Sequence, residues 1–273
     1  MGELKVQAEF ESLEGMSEAC AQGLGNLLWA LADTKLLLGY HYGEWTFGTP
    51  ELEAAVANCS LSQSELGHVR LLHAVLKKHW GEDPELLIER RPAAEFANVT
   101  FLDQPVEDWA AYVATNAVVD LAATRVLHAL QGSAFKPIRM SVDKMLDEER
   151  HHLHHGRGWF RSVAARSDGA RRLADATREA LRAVAVWLGP ADDVGDRALV
   201  AARVKAAANA DLLAALVTDL TGLAREVGLA LDVPGPPSFG GWDARTRRMD
   251  SRGPADEIVF HLRGSANQLF KLS

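Results

Sequence analysis

Glu65-Leu66-Gly67-His68 and Glu149-Arg150-His151-His152 are the stretches on which the reading of this chain turns. Each is a Glu-x-x-His pair near the middle of a long expected helix, and a spacing of three puts both side chains on one helical face. Around the first pair, Ala54, Leu61, Glu65, His68, Leu72 and Val75 form one apolar stripe. Around the second, Ile138, Val142, Met145, Glu149, His152 and Trp159 do the same. Glu148 and His151 fall instead with Ser141, Lys144 and His155 on a polar stripe, which is expected to be solvated. An ionised glutamate on an apolar stripe is costly unless a cation or hydrogen bonds offset it. Glu65, His68, Glu149 and His152 are therefore expected to converge inside the protein.

Between the two pairs, Asp120 interrupts the run Ala117-Val118-Val119-Asp120-Leu121-Ala122-Ala123 and is the only charged residue between Asp108 and Arg125. It offers a third carboxylate from a third helix. The expected helices run about 14–43, 50–80, 106–130, 134–165 and 170–188, with one broken or two successive helices over 193–227 and a last one over 255–269. A short helix is expected at 85–89. Pro50 suits the first turn of the second helix, and Gly132 and Gly189-Pro190 read as stops. Pro234, Gly235, Pro236, Pro237, Gly240 and Gly241 make 230–254 an extended arm. Long helices joined by short turns make this an all-α four-helix bundle, core about 14–166, with C-terminal helical additions over 170–273, in one domain spanning 1–273.

Composition excludes several classes. The net charge of −8 argues against a nucleic-acid or anionic-membrane surface as the main partner. No window is long and apolar enough to cross a membrane, and Met1–Phe10 has no signal-peptide core. The two cysteines, Cys20 and Cys59, cannot make a disulfide framework. A cytoplasmic protein with reduced thiols is expected.

Bundle-type di-metal sites take one Glu-x-x-His from each of two helices and a carboxylate from each of the others. Oxygen and imidazole donors suit iron or manganese. The metal-ligand candidates are thus Glu65, His68, Asp120, Glu149 and His152. The bland readings remain beside this. A single Glu-x-x-His is common, a lone aspartate in an apolar run is usually a hydrogen-bonding group, and His151, His152, His154 and His155 could be a surface cluster.

The first helix departs from the pattern. Its core stripe carries Lys35 between Leu31 and Leu38, while Asp33 lies about 200° around the helix. Charge arithmetic favours one divalent ion, or a Lys35-bridged metal-poor site, over two ions. Without metal, Lys35 cancels only one carboxylate unless the histidines charge or a carboxylate takes a proton.

Leu31-Ala32-Asp33, Leu38-Gly39, Glu44-Trp45 and Pro50-Glu51-Leu52-Glu53 resemble the structural subunit of bacterial phenylacetyl-CoA epoxidase (ring 1,2-phenylacetyl-CoA oxygenase), as do Gly240-Gly241-Trp242, Arg252-Gly253 and the last helix. The catalytic subunit of that complex is a relative with a ferritin-like fold. Its di-iron centre activates O₂ to epoxidise the ring of an aryl-CoA thioester in phenylacetic acid catabolism. Its ligand pattern is similar here at Glu65, His68, Asp120, Glu149 and His152, and the structural subunits lack the second Glu-x-x-His. The chain is thus a hybrid, with Lys35 where the catalytic pattern has a glutamate.

Two functions are expected from this. One is a non-haem iron oxygenase or oxidase with one or two ions, Lys35 as a catalytic second-sphere cation or proton donor, a small aromatic or CoA-thioester substrate, and an external reductase. The other is a non-catalytic structural subunit that pairs with a catalytic homologue, so a homo- or hetero-oligomer is expected. A ferritin-like metal store is disfavoured because no acidic entry channel is visible. Tyr40, His41 and Tyr42 are expected to cap a core, with a redox or substrate-pocket role as the alternative, and Trp29, Trp109 and Trp187 to be core or interface anchors. Arg245, Arg247, Arg248 and Arg252 are expected to form a solvated, acid-paired loop, with contact to a CoA phosphate as the alternative.

Overall fold

The structure, a computed structural model, describes residues 9–270; most of the Met1–Phe10 segment lies outside it. Among the described residues the chain is all-α, with only isolated bridges at Phe10–Phe135 and Asp243–Arg248. Helix α1 spans Glu18–Glu44, α2 Leu52–Trp80, α3 Pro84–Arg90, α4 Trp109–Ala114 and α5 Leu121–Leu130. Then come α6, Lys136–Ala164, α7, Ser167–Leu188, α8, Val194–Ala201, α9, Asn209–Glu226, and α10, Asp256–Leu262. No described helix is long and apolar enough to cross a membrane.

The bundle consists of α1, α2, the continuous helix 109–130 and α6. Every residue of α1 from Leu27 to Gly39 is buried, Asp33, Thr34 and Lys35 included, so this helix is packed on all sides. It starts at Ser17, whose hydroxyl accepts from the Cys20 amide and satisfies an otherwise orphan donor. Helix α2 ends on Gly81 in the left-handed conformation, where a side chain would be strained. Helix α8 packs on α1 through the Gly23–Gly195 crossing, where a Cβ on Gly23 would stand 2.8 Å from the Gly195 Cα.

Three sequence expectations change. The segment 106–130 is not one regular helix, because Thr115–Asp120 forms a π-helical turn between α4 and α5. That turn inserts extra backbone and rotates Asp120 relative to the 3.6-residue period. The last helix stops at Leu262, short of the expected 269, and is followed by a 3-10 segment in which Leu269 is 95% exposed. The arginine loop is neither solvated throughout nor open to phosphate. Arg248 is buried and donates to the Phe96 carbonyl at 2.9 Å, to Asn98 Oδ1 at 2.6 Å and to both oxygens of Asp103. Arg247 is buried and donates to the Trp187 carbonyl at 3.1 Å. Arg245 lies 4.8 Å above the Trp29 ring. Only Arg252, paired with Asp250, fits the exposed, acid-paired description. The Pro/Gly-rich arm is extended as expected, and these buried cations fasten it across the loop 96–103.

Candidate functional site

The side chains singled out in the sequence meet in one buried cluster. Lys35 from α1, Glu65 and His68 from α2, Asp120 from the π turn, and Glu149 and His152 from α6 are all at most 1% exposed. Lys35 Nζ donates to Glu65 Oε1 at 3.1 Å, to Asp120 Oδ1 at 3.1 Å and to Glu149 Oε1. His152 Nδ1 lies 2.9 Å from Asp120 Oδ2 and 3.3 Å from Glu65 Oε1. His68 Nδ1 lies 3.3 Å from Glu149 Oε1 and 3.6 Å from Glu65 Oε2.

Asp33 does not reach this cluster. It faces the other side of α1, where Arg91 grips it bidentately at 2.6 and 3.1 Å and the Ala97 amide donates at 2.8 Å. The two buried charges on α1 therefore serve opposite faces: Asp33 ties down the 91–97 loop, and Lys35 enters the bundle. Glu148 sits at the solvent edge, on the polar stripe as expected, and from there pairs with His68 Nε2 at 2.9 Å. His151 is exposed as expected.

Several members of the cluster were not singled out as site residues. Tyr42 OH donates to Asp120 Oδ2 at 2.7 Å, and Asn116 Nδ2 donates to Tyr42 OH at 2.8 Å. Thr124 Oγ1 donates to Glu149 Oε2 at 2.6 Å. Their signal is spacing: Tyr42 follows Lys35 by two turns, and Asn116 and Thr124 flank Asp120 by four residues on either side. Gly156 lets α6 approach the π turn, since a Cβ there would stand 1.8 Å from Asn116 Oδ1.

The electrostatics follow from burial set against opposite charge. Burial opposes charge on Lys35, yet Asp120, Glu149 and Glu65 outweigh it and hold the ammonium well above the usual lysine value. Burial also opposes charge on His152, but Asp120 and Glu65 push it up to about 11. His68, against the same opposition, is carried up to about 9 by Glu149 and Glu65. Burial would raise Asp120, but Lys35 and His152 drive it well below the carboxylate range. The three buried carboxyl groups thus face the Lys35 ammonium and two imidazoles, His68 and His152, whose hold on a proton is strengthened.

Glu65, Asp120, Glu149 and His152 bring one ligand atom each to within 4.8 Å of one another, so the buried group could hold a metal ion. With Lys35 in place it does not fit a further cation. The ammonium engages one oxygen of each carboxylate, and His152 spends Nδ1 on Asp120. A divalent ion among those oxygens would lie beside a buried ammonium, which is strongly repulsive at low effective dielectric.

A helical bundle with carboxylates and two Glu-x-x-His pairs pointing into its centre defines the class: a ferritin-like bundle of the carboxylate–histidine type. A family model described as phenylacetic acid catabolic protein matches residues 7–247, and the chain belongs to that family. One subunit of the 1,2-phenylacetyl-CoA epoxidase of Escherichia coli (strain K12) is 27% identical over 139 residues. That match covers 50% of this chain and 56% of the relative, so the chain spans little more than half the length of the relative it matches.

Proposed function

We propose that this chain is the non-catalytic structural subunit of an epoxidase of the phenylacetyl-CoA type, pairing with a catalytic di-iron homologue. One observation carries the reading: the Lys35 ammonium sits among Glu65, Asp120 and Glu149 at hydrogen-bond distance, fully buried. In this reading the ligand set inherited from a metal-binding ancestor is kept as a packing device. The fixed positive charge of Lys35, with His68 and His152, supplies what metal ions supply elsewhere. Buried ionic groups of this kind specify an arrangement more than they add stability. The likeness to an epoxidase subunit supports the assignment, and by this likeness the partner would act on an aryl-CoA thioester.

The oxygenase reading retains one observation in its favour, the donor set within 4.8 Å. It requires Lys35 to leave the carboxylates before iron or manganese enters, after which Lys35 would act as a second-sphere cation. Metal analysis separates the two readings. Protein expressed with iron supplied should hold well under a tenth of an equivalent of metal, and Lys35→Glu should bind metal near stoichiometrically. Stoichiometric iron in the unaltered protein, removed by Glu65→Ala, would overturn the structural-subunit reading.

A further inference from the structure

Beside Arg248, the arm 230–254 carries a second buried guanidinium whose bonding is incomplete. Arg247 is 3% exposed. Its Nη1 donates to the Trp187 and Leu188 carbonyls at 3.1 and 3.3 Å, at the C-terminal end of α7. Its Nε is buried without a hydrogen-bond partner, and Nη2 donates to nothing among the described residues. Nε and Nη2 together form the guanidinium edge that grips a carboxylate through two parallel N–H···O bonds. Asp193 and Asp196 act on Arg247 through their charge, but their oxygens are spent elsewhere. Those of Asp193 accept from the Gly195 and Asp196 amides at 3.2 and 3.0 Å as the N-cap of α8. Those of Asp196 accept from the Lys205 ammonium and the Asn209 amide. A buried donor edge left unmade costs its full desolvation.

The backbone at Arg247 is held against preference. Its φ is 55°, in the left-handed region that residues with a side chain rarely adopt. A tight turn enforces this: the Arg247 amide donates to the Asp243 carbonyl at 2.7 Å, and Asp243 Oδ1 accepts from the Arg245 and Thr246 amides at 2.9 and 2.7 Å. Strain over-determined in this way is characteristic of ligand clamps.

Arg247 lines a cleft of about 190 Å³ between α1, the start of α8 and the arm. Gly23 and Gly195 cross there without side chains between them. Gln22 and Asn26, one turn apart on α1, bring two side-chain amides that make no hydrogen bond among the described residues, and Ala244 lines the arm side. At about 30 Å³ per water, this space holds about six waters or one small organic molecule. Asp193 lines the same cleft, and its charge repels a dianion such as phosphate while leaving room for a single carboxylate.

We infer that this cleft binds a small monocarboxylic acid, its carboxylate held by the Nε–Nη2 edge of Arg247 and its remainder hydrogen-bonded by Gln22 and Asn26. The cleft stands apart from the buried cluster, since Asn26 precedes Lys35 by about 13 Å along α1.

Calorimetry of the full chain at pH 7 and constant ionic strength, with acetate, glycolate and inorganic phosphate as probes, tests this. Acetate should bind saturably at one site in the millimolar range, glycolate severalfold tighter through its hydroxyl, and phosphate at least tenfold more weakly than acetate. Arg247→Lys can still donate to the two carbonyls but has no paired edge, so acetate should weaken at least tenfold with helicity unchanged. Ala244→Leu, at an exposed position, narrows the cleft without touching the guanidinium and should weaken acetate by a similar factor, which keeps the test decisive if Arg247→Lys does not fold. Asp193→Asn keeps a capping oxygen and should let phosphate bind as well as acetate. Absence of saturable acetate binding, acetate binding of unchanged strength in Ala244→Leu or in folded Arg247→Lys, or a preference for phosphate in the unaltered chain would overturn the inference.

Discussion

Lys35→Met keeps most of the side-chain volume and removes the charge together with its N–H donors, which makes it the sharpest probe of the buried cluster. The ammonium bonds to Glu65 and Asp120 at 3.1 Å each and to Glu149, all fully buried, so its loss leaves three carboxyl groups with only His68 and His152 to offset them. Removing one partner of a buried ion pair costs about 3–5 kcal/mol, because the charge left behind has no compensation. With three partners affected, the upper end of that range applies. At about 2–4 °C per kcal/mol for a chain of this size, Tm should fall by about 10–20 °C. The assay is thermal unfolding at pH 7 in chelator, followed by circular dichroism, then repeated with added Mn²⁺. A divalent ion binding only the folded variant should recover part of the loss, while the unaltered protein should respond little. If Lys35→Met unfolds within 2 °C of the parent in chelator, the ammonium is not what holds the carboxylates, and the reasoning fails.

The cluster also sets a pH dependence. His68 and His152 are raised from 6.5 to about 9 and about 11, so their contribution is complete below pH 6.5 and is lost as pH rises through those values. Burial instead lowers His73 and His155 to about 4, so their neutral forms favour folding above pH 6.5 and oppose it as pH falls toward 4. Stability should peak near pH 6.5, and urea midpoints at pH 5, 6.5 and 9 check it; a midpoint at pH 9 equal to that at 6.5 refutes the cationic histidines. Arg248→Ala leaves Asp103 and the Phe96 carbonyl without the guanidinium that joins them, at a cost of about 3–5 kcal/mol. Limited proteolysis should then cut within 230–254 much faster than in the parent, and an unchanged digestion pattern would show that Arg248 does not fasten the arm.

Residue order alone dictates the helices and their convergence. Stripes of period 3.6 placed Glu65, His68, Glu149 and His152 on buried faces, because an apolar face must be covered and carries whatever polar residues lie on it. Lys35 was legible as an anomaly on the same grounds. The π turn at Thr115–Asp120 was not, since a one-turn change of helical period leaves no mark in residue spacing, and it decides how Asp120, Tyr42 and Asn116 meet. Contacts between residues far apart in sequence stayed hidden as well: Asp33 with Arg91, Glu148 with His68, and Arg248 with Asp103. Each is a charge whose partner comes from another element. A residue type shows that a charge needs a partner, but only the packing of elements against one another selects which partner it meets. The charge states of the two histidines follow from that packing, because three carboxylates and one ammonium had first to be brought within hydrogen-bond distance.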